Sequence, residues 1–408
     1  MKLTIQRLGH LGDGVAEGPV FVPRALPGEE VEGEVGGDRM LAPKIVTPSQ
    51  DRVAAPCPHY RTCGGCSLQH ASDAFVSAWK VAVVRAALEA RGLDADIRGI
   101  ATSPPRSRRR ATLHGRRLRK GALVGFHGRA SDTITTTPDC HLIGPAIVAA
   151  LPVCEALTEL GASRKGEVDL ALTETESGLD IAISGVRPLN RESLVSAVRL
   201  AADADLARLS WNAEVVVEAR PPIVRFGRAT VAPPPGAFLQ ATAEGEAALV
   251  SAVREALGDA KAVVDLFAGC GTFTLPLAEN ADVHAVESDA AMLSALDGGW
   301  RRAPGLKRVT TEARDLFRRP LLPDELSRFG AAVIDPPRAG AEAQTRTLAA
   351  SAVSRIAAVS CNPVTFARDA RLLTEGGFRL DWVQVVDQFR WSRHVELAAR
   401  FSRDHMAA

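Results

Sequence analysis

Val263-Val264-Asp265-Leu266-Phe267-Ala268-Gly269-Cys270-Gly271-Thr272-Phe273 is the stretch that decides the fold. A short, mainly apolar run of this kind reads as a strand buried on both faces, and the glycines after it turn the chain into a helix. Strand, tight turn and helix in that order make a ligand crevice at the carboxyl end of a parallel sheet. Gly269 and Gly271 let the backbone approach whatever lies there. The next strand-like run, Val283 to Val286, leads into Glu287, whose carboxylate is placed to accept hydrogen bonds from ribose hydroxyls. A diphosphate-binding pattern would need a third glycine at position 274, and the chain has Thr274 there. A nucleoside ligand without phosphates, S-adenosylmethionine, fits the segment better.

Working outward, a helix is expected at about 243–257, and further apolar strands at Ala331 to Ile334 and Ile356 to Ser360 alternate with helices. Residues 237–408 therefore read as a doubly wound α/β unit. Asp315, in EARDLF, falls where the third strand should end and suits either a contact to the adenine amino group or a helix cap. Asp335 opens Asp335-Pro336-Pro337-Arg338 at the end of the fourth strand, so its carboxylate projects into the same crevice. Enzymes that methylate exocyclic amines often place an aromatic after the two prolines to stack a base; Arg338 there speaks against that chemistry.

Ser360-Cys361-Asn362-Pro363 follows the fifth strand and brings a thiol to the same end of the sheet. Pyrimidine C5 is a poor nucleophile, and a thiolate that adds to C6 turns the ring into an enolate whose C5 can attack a sulfonium methyl group. The C5 proton must then be removed before the thiolate leaves, which requires a base. Glu396, in Arg393-His394-Val395-Glu396 at the entrance to an apolar strand, is the candidate, since a carboxylate there is costly unless functional or paired.

The amino-terminal half has a different rhythm. Residues 1–52 hold short alternating apolar stretches (Leu3, Ile5; Val20 to Val22; Val31, Val35) between Gly and Pro turns, as in a small antiparallel barrel. Cys57-x5-Cys63-x2-Cys66 follows and needs a fourth thiolate, best supplied by Cys140; four cysteines suit either zinc or a 4Fe-4S cluster. Asp73 is expected to cap a helix with Phe75, Val76, Trp79, Val83, Val84 and Leu88 on its apolar face, ending near Gly92. Residues 53–236 read as a mixed α+β unit with a helix at 145–160, the 75–105 segment packing on the catalytic unit, and the prolines of VAPPPGAF closing it.

At 408 residues and 46% hydrophobic content the chain can fill several cores. Its net charge of +1 excludes a globally basic binder, yet Arg106, Arg108, Arg109, Arg110, Arg116, Arg117, Arg119 and Lys120 form a strip with no acid among them, suited to phosphates. No run approaches the roughly 18 to 20 apolar residues of a membrane span, and the first residues lack the apolar core of a signal peptide. A cytoplasmic protein with its cysteines reduced is expected.

Together these residues resemble the family of RNA 5-methyluridine (uracil-C5) methyltransferases over nearly the whole chain. GHLGDGVAE and FVPRALPGEEV look like a TRAM domain, an OB-like RNA-binding barrel common in that family. The resemblance implies three units: the barrel, a central α+β unit braced by an iron-sulfur cluster, and a Rossmann-like class I methyltransferase domain. It implies 4Fe-4S ligation by Cys57, Cys63, Cys66 and Cys140, and adenosylmethionine binding by Gln240, Phe267, Thr272, Glu287, Asp315 and Asp335. Cys361 becomes the nucleophile and Glu396 the base. Two positions depart from the family pattern: Ala241-Thr242 follows Gln240 where an Asn is usual nearby, and Thr272 stands where Asn is frequent. A cluster combined with a barrel resembles members acting on large-subunit (23S) ribosomal RNA; transfer RNA is the alternative substrate. An iron-sulfur redox enzyme and a non-catalytic RNA binder are the rival classes. The expected partner is RNA, with no membrane and a monomeric chain.

Overall fold

Three large sheets and one hairpin organise residues 1–404, the part of the chain that the computed structural model describes. The first sheet holds seven short strands between Lys2 and Thr47, with Lys2–Leu8 near its middle. Its alternate residues Ile5, Ala16, Val22, Val31 and Met40 meet in a small core of their own. A register shift between Ile5 and Arg7 lets this one strand pair with Gly14–Ala16 at one end and with Glu30–Glu32 at the other.

The second sheet also has seven strands, in the order Ile134–Thr135, Ala122–His127, Arg110–Arg117, Glu167–Thr175, Gly178–Ser184, Arg208–Trp211, Glu214–Glu218. Period-2 alternation buries Leu113, Val124, Val168 and Leu170 on the face that packs against the helix Leu151–Gly161, and leaves His114, Arg116 and Asp169 on the other. The helix expected at 145–160 is two, Pro145–Ala149 and Leu151–Gly161. Pro152 is the reason, because it has no N–H to continue the ladder across Ala150. The helix expected to start on Asp73 spans Asp73–Glu89, but its N-cap is Ser72, whose hydroxyl accepts from the Phe75 amide.

The third sheet has eight strands, in the order Val309–Ala313, Asp282–Glu287, Ala262–Leu266, Ala331–Ile334, Arg355–Ser360, Glu396–Ser402, Arg379–Asp387, Asp96–Thr102. The first five run parallel, and Glu396–Ser402 is inserted antiparallel to both its neighbours. That insertion departs from the order of a dinucleotide-binding sheet. Asp96–Thr102 pairs parallel with Arg379–Asp387, and the hairpin Val224–Phe226 with Ala229–Val231 packs on Cys270 and Leu275. Segments that precede residue 237 therefore complete the carboxy-terminal unit. Among the described residues no helix is long and apolar enough to cross a membrane.

The helix Asp73–Glu89 is locked to this sheet by a charge. Lys80, fully buried, donates to Asp387 Oδ1 at 2.5 Å and to the Phe389 carbonyl at 3.1 Å. Removing one member of a buried ion pair strands the other, at a cost of about 3–5 kcal/mol. Lys80→Met is therefore expected to lower unfolding free energy by roughly that amount in a denaturant titration. A loss under ~1 kcal/mol would mean that Asp387 is served by water.

Candidate active site

The parallel strands bring their carboxyl ends to one edge, and the antiparallel strand brings its first residue there too. Leu266 leads into Phe267, Asp282–Glu287 ends on Glu287, Ile334 precedes Asp335, and Ser360 precedes Cys361. The Arg355–Ser360 strand pairs with Glu396–Ser402 so that Ser360 faces Leu397; one further step of that register sets Cys361 across from Glu396. Two residues 35 apart in sequence thus meet because a strand reverses between them.

The turn after Leu266 is held in a conformation few side chains adopt. Phe267 has φ 65°, Gly269 56° and Gly271 96°. Left-handed backbone at a non-glycine residue is strained by about 1–3 kcal/mol and gathers at functional sites. A methyl group at Gly269 would meet nothing within 4 Å, so the turn faces open space, whereas one at Gly271 would press on Leu296 at 2.9 Å. Glu287 closes the turn by accepting from the Gly269 amide at 3.1 Å, and its other oxygen accepts from the Ser288 and Asp289 amides. Asp315, two residues beyond the Val309–Ala313 strand, accepts from the amides of Phe317 and Arg318. Asp315 thus closes a turn over 316–318 and caps no helix, and the Phe317 ring lies 5.4 Å from that of Phe267. Thr272 stands between Gly271 and the short helix Thr274–Leu277.

Four ionisable groups share this edge at low polarity. Burial, with the neighbouring Asp265 carboxylate, pushes Asp335 up to about 7. Glu396, 4% exposed, is pushed up to about 8 by burial and by Asp335, against a hydrogen bond from Gln388. Burial raises the half-buried Cys361 thiol to about 11, with Glu396 and Asp335 adding to the rise and Arg338 opposing it. Asp265, inside the deciding strand, is fully buried and also pushed up to about 7 by burial; it accepts from the Thr274 hydroxyl at 2.5 Å. A neutral thiol beside a carboxyl of elevated pKa is an arrangement that can add sulfur to an electrophile and then accept a proton.

Sequence reasoning missed the polar chain that links these groups. Gln240 Nε2 donates to Asp335 Oδ2 at 3.5 Å, and Gln240 Oε1 accepts from Gln388 Nε2 at 2.6 Å. Gln388 also donates to Glu396. The one available signal was an Asp387-Gln388 pair directly after the mainly apolar stretch Trp382 to Val386.

The basic strip divides. Arg109 donates to the Gln240 carbonyl and to Glu246, Arg110 donates to the Leu239 carbonyl, and Arg108 donates to the Arg110 carbonyl. Arg109 and Arg110 brace the loop that carries Gln240. Arg106, Arg119 and Lys120 stay exposed, with Arg116 and Arg117 half-buried. Expecting all eight side chains to face phosphate overlooked that backbone carbonyls at a seam between units also need donors.

Cys57, Cys63, Cys66 and Cys140 line one nearly closed cradle with Tyr60, Gln69 and Phe126. Two of the sulfurs already accept backbone amides, Cys63 from Gly65 at 3.3 Å and Cys140 from Leu142 at 3.4 Å. Such donors favour thiolate ligands. No three of the four sulfurs lie within 4.8 Å of one another.

A sequence profile described as tRNA (Uracil-5-)-methyltransferase matches residues 305–403. The chain is 45% identical to a Brucella suis protein named as an uncharacterized RNA methyltransferase, over 98% of this chain and 97% of the relative. It is 32% identical to the 23S rRNA (uracil(1939)-C(5))-methyltransferase RlmD of Chromohalobacter salexigens, over 98% and 89% of the two chains. Among solved structures, the Pyrococcus abyssi tRNA (uracil-54, C5)-methyltransferase in complex with S-adenosyl-L-homocysteine superposes with a TM-score of 0.75 at 21% identity. That superposition covers 98% of this chain and 99% of the other, a likeness of fold.

Proposed function

The chain belongs to the family of S-adenosylmethionine-dependent RNA uracil-C5 methyltransferases, and within that family we propose that it methylates a uridine of 23S ribosomal RNA through a transient Cys361 adduct. The observation that carries the mechanism is the antiparallel register that ends on Ser360 opposite Leu397 and so brings Cys361 and Glu396 to one edge, beside Asp335 and the Phe267 to Thr272 turn. Adenosylmethionine supplies an electrophilic methyl group on a sulfonium. Gln240, Phe267, Thr272, Glu287, Asp315 and Asp335 are the residues proposed to hold it.

The target uridine leaves its stack to reach this buried edge. Cys361 gives its proton to solvent, its sulfur bonds to C6, and the ring's electrons move into an enolate. C5 takes the methyl group, and the sulfonium sulfur keeps the bonding pair. Glu396 then removes the C5 proton, the C5–C6 double bond reforms, and the thiolate departs. The elevated pKa of Glu396 makes its ionised form a stronger proton acceptor, one that is fully available only above about pH 8.

The preference for ribosomal RNA rests on the RlmD relative and on the four-cysteine cradle. We read Cys57, Cys63, Cys66 and Cys140 as ligands of a 4Fe-4S cluster that braces the central sheet, four thiolates around one cradle being a donor set such a cluster takes. The amino-terminal sheet is read as the TRAM barrel, and the exposed part of the basic strip as a phosphate contact. The protein would act as a monomer in the cytoplasm, where its RNA is made. Mass spectrometry of ribosomal and transfer RNA from a deletion strain is the test. Loss of one 5-methyluridine from 23S RNA is expected; loss from transfer RNA with 23S RNA unchanged would reassign the substrate.

A further inference from the structure

We propose that Gln388 is a positioning residue for the methyl transfer, holding the Glu396 carboxylate and tying it to Gln240 on the cofactor side. The proposal rests on the reading of Glu396 as the base. Gln388 is 1% exposed, and its amide is fully used. Its Oε1 accepts from the Ala241 amide at 2.7 Å and the Thr242 amide at 3.3 Å. Those two N–H donors fix which end of the side chain is oxygen, because a flipped amide would set donor against donor. Nε2 is thereby turned the other way, with one proton for Gln240 Oε1 at 2.6 Å and the other for Glu396 Oε2.

The consequence lies in what an amide can and cannot do. It donates to one oxygen of Glu396, which leaves the second oxygen free to receive a proton, and it does not itself exchange protons near neutral pH. A base acts only when it is held in productive geometry, and a misplacement of about 1 Å can cost on the order of 10²-fold in rate. The neighbouring positions keep Gln388 from moving. Asp387 is clamped by Lys80, by the Phe389 amide at 3.0 Å and by its own carbonyl to the Ser103 amide at 2.9 Å. Gly245 packs so close that a methyl group there would lie 2.7 Å from Gln388 Cβ. The titratable groups acting on Glu396 are Asp335 and Cys361, while Lys80 is turned to Asp387.

The test compares Gln388→Met, which fills the space without donors, with wild-type protein on the same structured RNA. Turnover is expected to fall about tenfold or more with both KM values within about threefold. The rising limb of the pH profile is expected to move to higher pH, since a donor to the carboxylate is gone, and a protein–RNA adduct should accumulate on denaturing gels during turnover. An unmoved pH profile with no adduct would overturn the proposal, leaving Gln388 a packing residue. Gln388→Glu is the second variant should Gln388→Met fail to fold: a third carboxylate beside Glu396 and Asp335 should push the profile up further, and an unchanged profile there overturns the proposal too. An adduct that accumulates in Glu396→Gln but not in Gln388→Met would sink this inference alone. Absence of an adduct from Glu396→Gln would bring down the base assignment beneath it.

Discussion

Glu396→Gln protein, mixed with adenosylmethionine and substrate RNA, is expected to carry the methyl group onto C5 and then stall as a covalent protein–RNA complex. Turnover should drop by about 10²–10⁴-fold, the usual contribution of a placed general base, while the complex survives denaturing electrophoresis. In wild-type protein the same group should give a rate that rises with pH up to about 8, because below that value Glu396 already carries the proton it must receive. The substitution also has a sign in stability. A carboxyl whose folded pKa is raised stabilises the fold fully below its unfolded pKa and loses that contribution as pH climbs through the folded value. Glutamine mimics the neutral form, so the variant should melt no lower than wild type at pH 8.5, which separates a stalled enzyme from an unfolded one. Rapid release of methylated RNA by the variant would remove Glu396 from the role of base.

Cys361→Ala is expected to show the larger loss, roughly 10⁴-fold or more, since residues that act as one catalytic unit fail together. Adenosylmethionine binding should hold within about threefold, because the turn from Phe267 to Thr272 and Glu287 form hydrogen bonds of their own without the thiol. The double variant Cys361→Ala with Glu396→Gln should be no slower than Cys361→Ala alone. With no sulfur on C6 the methylated adduct whose C5 proton Glu396 removes never forms. Methylation by Cys361→Ala at the wild-type rate would end the covalent mechanism.

Much of this site could be read from residues because its parts sit at strand ends. Val263 to Phe273 fixed a strand and turn through local apolar content and glycines, and the structure adds the left-handed φ of Phe267. Cys361 and Glu396 were legible as chemistry, whereas their opposition depends on a strand inserted antiparallel, a pairing no local pattern encodes. Lys80 shows the same limit. At its position in an amphipathic helix it reads as a solvated cation, and only the tertiary partner Asp387, 307 residues away, makes burial tolerable. Arg109 and Arg110 read as phosphate contacts for the same reason, since the carbonyls of Leu239 and Gln240 that take their donors lie across a seam between units. Asp265 was hidden by its neighbours: in a run of Val and Leu its side chain reads as a strand-end polar group, and the structure turns it inward to Thr274.

RNA bearing 5-fluorouridine offers the most direct measurement, because fluorine at C5 cannot be removed as a proton is. Wild-type protein incubated with this RNA and adenosylmethionine, digested with protease and nuclease and analysed by mass, should yield one peptide carrying a methylated fluorouridine on Cys361. A nucleotide attached at any other residue, or free RNA with every cysteine unmodified, would contradict the account.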